Sequence, residues 1–244
     1  SSTTSDEEHK EAIRFAVEHT RGRIPVIAGT GSNDTTYAVQ LSQYAERVGA
    51  DALLLVTPYY NKCTQNGLIA HYTKIADSVN IPAILYNVPS RTGVCIKTET
   101  YAALAKHPRI VGVKEASGDL SAILRLRAAA GDDLVLYSGN DDQIVPILSL
   151  GGQGVISVLS NVAPRIAHDI CQNYFDGNVT EATRLQIAYA DLIDALFCEV
   201  NPIPVKTAMR MLGYNTGTLR MPLSEPEPAH TAQIEAALRA HNLI

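Results

Sequence analysis

The chain has 244 residues, of which 46% are hydrophobic and 18% charged, with a formal net charge of −5. With no basic block and no interleaving of basic with aromatic residues, it lacks the electrostatic footprint of a nucleic-acid binder. Its longest apolar runs, such as Ala52 to Val56, fall far short of the roughly 18 residues that a membrane span needs. The four cysteines (Cys63, Cys95, Cys171 and Cys198) form no C-x-x-C pair, and the seven histidines are scattered. This argues against a metal motif and predicts a reducing, cytoplasmic setting.

In chain order, Ser5 with Glu8 three residues on makes a capping box, which opens a helix running to about His19. Ile24 to Ala28 reads as a short buried strand. It ends in Gly29-Thr30-Gly31-Ser32-Asn33-Asp34, a tight turn with an N-cap but without the G-x-G-x-x-G spacing of a dinucleotide site. The unit then repeats. A helix (Thr35 to Val48) leads to a strand (Ala52 to Val56), and a helix (Leu68 to Ser78) to a strand (Pro82 to Tyr86). The next pairs are helix Thr98 to Ala105 with strand Ile110 to Lys114, and helix Leu120 to Ala129 with strand Leu134 to Tyr137. A short helix (Ile144 to Leu150) precedes a sixth strand, Gly154 to Val158. The remainder reads as helices: Pro164 to Phe175, Val179 to Phe197, Ile203 to Leu212 and Ala229 to Ala240.

Strands alternating with helices at this rhythm predict parallel βαβ units and an α/β protein. A doubly wound sheet gathers its function at one crevice, usually beside a phosphate-binding turn. A (β/α)8 TIM barrel instead displays reactive residues at the C-terminal end of every strand. The second pattern is the one present: Tyr59 and Tyr60, then Tyr86 and Arg91, then Lys114, then Gly139 and Asn140. The expected fold is therefore a TIM barrel over residues 1–163 that lacks its first two strands, followed by a C-terminal helical region over 164–244.

Lys114 ends an apolar, β-branched run. An amine there is partly desolvated, which disfavours its charged form, and a neutral amine can attack a ketone to give a Schiff base. The bland alternative is a strand-end lysine that reaches solvent or pairs with Glu115. Tyr86 is placed to shuttle protons, or else caps a barrel core. Arg91 is placed to grip a carboxylate, or else is a solvated loop charge.

Four stretches carry a resemblance: Val56-Thr57-Pro58-Tyr59-Tyr60-Asn61-Lys62, Leu85 through Gly93, Gly112-Val113-Lys114-Glu115-Ala116-Ser117-Gly118, and Asn201-Pro202-Ile203-Pro204-Val205-Lys206. In these motifs, and in order along essentially its whole length, the sequence resembles the dihydrodipicolinate synthase family of pyruvate-dependent class I aldolases. The resemblance implies a lyase of lysine and diaminopimelate biosynthesis that condenses pyruvate with L-aspartate 4-semialdehyde. Lys114 would carry pyruvate as imine and enamine. Tyr86 would relay protons with a threonine and with Tyr60, the latter reaching in from the adjacent subunit of a homodimer or homotetramer. Arg91 would bind the aldehyde substrate's carboxylate, and Gly139 and Ile156 would line the pyruvate pocket. No metal or organic cofactor is implied, because the lysine is the electron sink.

The resemblance has departures. The family's Gly-Thr-Thr-Gly-Glu phrase, whose threonines complete the relay, would fall just upstream of Ser1. Thr3 and Thr4 lie too far along to replace it, so the chain as given is expected to be inactive alone. The family's inhibitory lysine pocket maps to Ser2, His9, Asn33, Tyr37 and Tyr59. Here Asp6 and Tyr37 stand where sensitive members tend to have His and Glu, which predicts weak inhibition by lysine. Cys63 replaces a common proline. Two alternatives stay open: another pyruvate aldolase, such as an N-acetylneuraminate or 2-keto-3-deoxy-sugar acid lyase, and a non-catalytic fragment.

Overall fold

The computed structural model describes residues 3–244; Ser2, one of the expected inhibitor-pocket residues, lies outside them. The chain divides into two compact units, Ser1–Tyr137 and Ser138–Ile244.

The first unit alternates helices and strands: α1 (Asp6–Thr20), β1 (Ile27–Gly29), α2 (Thr35–Arg47), β2 (Ala52–Val56), α3 (Gln65–Asp77), β3 (Ala83–Asn87), the single turn α4 (Pro89–Thr92), α5 (Thr98–Leu104), β4 (Ile110–Glu115) and α6 (Leu120–Ala130). β5 (Val135–Ser138) completes a five-stranded sheet of order β1-β2-β3-β4-β5. The β1–β2, β2–β3 and β3–β4 pairs are parallel, so these strands end on one edge. The α/β class with a parallel sheet is as expected.

Local chemistry sets the helix starts. The capping box is present, Ser5 N donating to Glu8 Oε2 at 2.9 Å and Glu8 N to Ser5 Oγ at 3.2 Å. The Asp34 and Asp119 carboxylates accept from Thr36 N (2.8 Å) and Ala122 N (2.9 Å) to open α2 and α6. Packing does the rest. Leu53, Leu55, Ala83, Leu85 and Val113 of the sheet are 0% exposed, as are Ala38, Leu41 and Ala45 of α2 and Leu68, Tyr72 and Ile75 of α3. The helical positions are three or four residues apart, one apolar stripe per helix facing the sheet. Burying each such leucine or isoleucine contributes about 1.5–3 kcal/mol.

One irregularity matters for the site. Between β3 and β4 the register steps from Ala83↔Ile110 to Ile84↔Gly112, which leaves Val111 as an extra residue, a β-bulge. Gly112 belongs to this geometry, since a Cβ there would stand 2.8 Å from the Val135 carbonyl oxygen.

The second unit holds a 3-10 turn (Asp141–Gln143), α7 (Ile144–Ser149), α8 (Leu159–Val162), α9 (Pro164–Phe175), α10 (Val179–Ala188), α11 (Ala190–Leu196), α12 (Ile203–Met211) and α13 (Pro228–Ala240). Leu159, Leu192, Leu196, Ala208, Ile234 and Leu238 form its main core.

Two expectations need correction here. The sixth strand, Gly154 to Val158, is reduced to an isolated bridge, Ser138↔Val155. The reason is Asp141, whose Oδ2 accepts from Val158 N and Leu159 N at 2.9 Å each and turns the chain into α8 instead of extending a ladder. The single helix expected over Val179 to Phe197 breaks at Tyr189 into α10 and α11, and the Tyr189 ring is stacked on His241 at 4.2 Å between centroids. Among the described residues, no helix is long and apolar enough to cross a membrane, and all four cysteines are free.

Candidate active site

β3 and β4 end in two paired rungs, Tyr86 with Lys114 and Asn87 with Glu115. Strand side chains alternate, so Tyr86 and Lys114 share one face while Asn87 and Glu115 share the other. Tyr86 and Lys114 are both half-buried, and Lys114 Nζ stands 4.3 Å from the centre of the Tyr86 ring. Burial raises the Tyr86 phenol above its ordinary 10.0, and the nearby Arg91 guanidinium pulls it partly back. The phenol therefore stays protonated at neutral pH, able to hand a proton to an adduct on the amine and take it back.

The Glu115 carboxylate belongs to the other face. It is 4% exposed and accepts from Asn87 Nδ2 (3.0 Å to each oxygen), the Tyr101 hydroxyl (2.9 Å) and Ser117 N (2.8 Å).

Arg91 is exposed and sits in α4. That turn ends at Gly93, in the left-handed region at φ 68°, whose N–H donates to the Pro89 carbonyl at 2.8 Å. The buried Thr57 hydroxyl, just past β2, donates to Thr92 Oγ1 at 2.8 Å, and Thr92 Oγ1 donates on to the Val94 carbonyl at 3.1 Å. The loop that presents Arg91 is thus hung on the end of the neighbouring strand. Sequence reasoning assigned no role to Thr57 or Thr92 and offered Glu115 only as an ion-pair partner of Lys114, because nothing local separates a buried, satisfied polar residue at a strand end from a solvated one.

Tyr59 is half-buried, and its carbonyl accepts from Asn33 Nδ2 at 3.1 Å and Asn61 N at 2.9 Å. The next residue, Tyr60, adopts φ 68° and is 93% exposed. Within one chain, then, Tyr60 does not join Lys114 and Tyr86. Left-handed backbone at a tyrosine is a strained geometry that is found at functional sites.

Gly139 and Ile156 lie in the second unit, both half-buried. The bridge there brings their stretches side by side, with Ile156 N donating to the Ser138 carbonyl at 2.9 Å.

The corner between α1 and α2 holds the described residues of the expected inhibitor pocket. His9 Nε2 donates to the Gly29 carbonyl at 2.9 Å. Lys10 Nζ meets Asp6 Oδ2 at 2.5 Å and holds that carboxyl below its ordinary range. Burial, with Asp6 beside it, raises the Tyr37 phenol. Among the described residues, no group of three or more His, Cys, Asp or Glu is placed to hold a metal ion.

Comparison with known proteins bears on what this geometry is for. The model of the dihydrodipicolinate synthetase family matches residues 1–241. The chain is 53% identical, over 243 residues, to the 4-hydroxy-tetrahydrodipicolinate synthase of Clostridium perfringens strain SM101, and covers 100% of itself and 84% of that protein. Among solved structures, the chloride-inhibited dihydrodipicolinate synthase of Acinetobacter baumannii, complexed with pyruvate, is similar with a TM-score of 0.96 at 43% identity, covering 100% of this chain and 84% of that one. The enzyme of Cyanidioschyzon merolae with lysine bound gives 0.97 at 40% identity, over 100% and 83% of the two chains. The chain belongs to the dihydrodipicolinate synthetase family.

Proposed function

We propose that this protein acts as a 4-hydroxy-tetrahydrodipicolinate synthase, condensing pyruvate with L-aspartate 4-semialdehyde in lysine and diaminopimelate biosynthesis. The observation that carries the reading is the Lys114 amine held over the Tyr86 ring at paired strand ends, in a chain of that family. The neutral amine of Lys114 adds to C2 of pyruvate, and the carbonyl oxygen leaves as water to give an imine. Loss of a methyl proton gives an enamine, whose carbon attacks the aldehyde carbon of the second substrate. The new alkoxide takes up a proton, and the substrate's own amine then displaces Lys114 and closes the ring. Tyr86 carries protons to and from these adducts. Arg91 receives the semialdehyde carboxylate. The lysine is the electron sink, so the reaction calls for no cofactor.

The remaining parts of the reading follow from it. Residues 1–163 belong to a TIM barrel, and 164–244 form a helical region. Tyr60, exposed on its strained turn, is offered to a second subunit of a homodimer or homotetramer and completes that subunit's proton relay. The protein works in the cytoplasm. The corner between α1 and α2 binds free lysine poorly, since Tyr37 brings no charge and the Asp6 carboxylate is already paired with Lys10.

Borohydride reduction in the presence of pyruvate tests the central claim. A reduced adduct located on Lys114 by peptide mass spectrometry is expected; a protein that stays unlabelled, or is labelled at another lysine, rejects it. A panel of aldehydes then separates this synthase from a sugar-acid lyase, with L-aspartate 4-semialdehyde expected to be preferred.

A further inference from the structure

The Asn87–Glu115 face of the β3–β4 ends carries a polar constellation that the chemistry above leaves unused. Glu115 is 4% exposed and Asn87 1%. The carboxylate meets donors only, which is what an acceptor-only group requires. The orientation of the Asn87 amide is set independently: its Oδ1 accepts from Ile96 N at 3.1 Å, so its Nδ2 faces Glu115. The Asn87 main-chain carbonyl also takes Ala116 N at 2.9 Å. The ends of β3 and β4, the loop at Ile96 and the Tyr101 hydroxyl of α5 are thereby tied at one point.

Across the sheet, one residue back on each strand, stand Tyr86 and Lys114. Their meeting depends on register, since a one-residue slip of β4 would turn Lys114 to the opposite face. The strand already carries one such step, at Val111. Val113 and Leu85 are both fully buried, and apolar residues on buried strands discriminate weakly between registers. A buried carboxylate discriminates strongly. Paired, it adds little stability over an apolar pair, but displaced from its donors it is left as an unmet buried charge.

We infer that Asn87 and Glu115 are positioning residues, a register lock that holds the amine of Lys114 over the ring of Tyr86. The inference rests on the reading of Lys114 as the nucleophile and deepens it.

The test swaps donor and acceptor. Glu115→Gln keeps the shape but sets its amide against the donors of Asn87 or Ser117. Adding Asn87→Asp lets the introduced glutamine donate to the introduced aspartate and to a rotated Tyr101 hydroxyl while still accepting from Ser117. Tyr101→Phe removes a donor outside the strand pair. For Glu115→Gln, kcat and the rate of pyruvate-dependent borohydride trapping are expected to fall roughly 10- to 100-fold, with KM for pyruvate moving much less. The double variant is expected to regain most of both. Tyr101→Phe is expected to lower Tm and leave the trapping rate unchanged. Hydrogen exchange at the Ala116 amide is read in parallel; it is expected to speed up in Glu115→Gln and slow again in the double variant. Should Glu115→Gln not fold, Asn87→Ala serves with the same expected directions.

Wild-type trapping and wild-type Ala116 protection in Glu115→Gln would overturn the lock, as would a folded double variant with no recovery. If Ala116 exchange behaves as stated but the wild-type protein traps no pyruvate, the lock stands and the pyruvate reading is what fails.

Discussion

Two lysines in the first unit meet opposite fates. Lys10 lies on α1, four residues from Asp6, and its ammonium meets that carboxylate at 2.5 Å. Lys114 has a carboxylate still nearer in sequence, the adjoining Glu115, but on the opposite face of its strand. The difference is periodicity. Residues four apart on a helix lie on one face, whereas neighbours on a strand point to opposite faces. The helix places its lysine in a charge pair. The strand sends Glu115 to its own set of donors on one face and sets Lys114 beside the Tyr86 ring, at 4.3 Å, on the other.

The sharpest break of this comparison is Lys114→Ala. In the protein carrying the family's Gly-Thr-Thr-Gly-Glu phrase ahead of Ser1, turnover is expected to fall by at least about 10⁴-fold, with no borohydride-trapped adduct. The matching change at Lys10 should leave turnover intact, and equal losses at both sites would erase the distinction. Next is Tyr86→Phe, which keeps the ring but removes the phenol. A loss of about 10²- to 10⁴-fold in kcat is expected from steady-state rates, with adduct still forming on Lys114. Arg91→Ala is expected to lower kcat/KM for the semialdehyde roughly 10- to 100-fold, the worth of a charge-assisted contact of about 1.5–3 kcal/mol, while KM for pyruvate stays put.

The other region is sharpened by Tyr37→Glu, which adds an anion beside Asp6. Inhibition curves should shift to lower lysine concentrations than those of the weakly sensitive wild type, and an unchanged curve would remove Tyr37 from the account. The smallest effect is at Lys10 itself. Lys10 depresses the folded-state carboxyl of Asp6, so the pair's contribution is present above the ordinary value of 3.8 and fades as pH falls through the depressed one. Lys10→Met should lower the denaturant midpoint slightly near neutrality and leave it unchanged at acid pH, where Asp6 is protonated in both proteins; the difference is small because the pair is screened by solvent.

The sequence alone determined the elements with local causes. The Ser5 and Glu8 capping box, the N-caps at Asp34 and Asp119, the apolar stripes of α2 and α3 and the buried strands β2 to β5 are all written in neighbouring residues, whereas the buried strand expected over Ile24 to Ala28 forms as Ile27–Gly29 with only Ala28 buried. The positions of Lys114 and Tyr86 are legible too, because a charge or phenol closing an apolar run is visible without coordinates, whereas Arg91, in the turn after β3, is marked only by the motif around it. Tertiary structure decided the rest, through partners far off in the chain. Asp141 withdrew the amides of Val158 and Leu159 from an expected strand, and Tyr189, stacked on His241, marks the break in an expected helix. The bulge at Val111 and the Asn87–Glu115 pair set which face Lys114 shows. A strand's sequence states which residues alternate, but only its pairing with a neighbour states where the alternation begins.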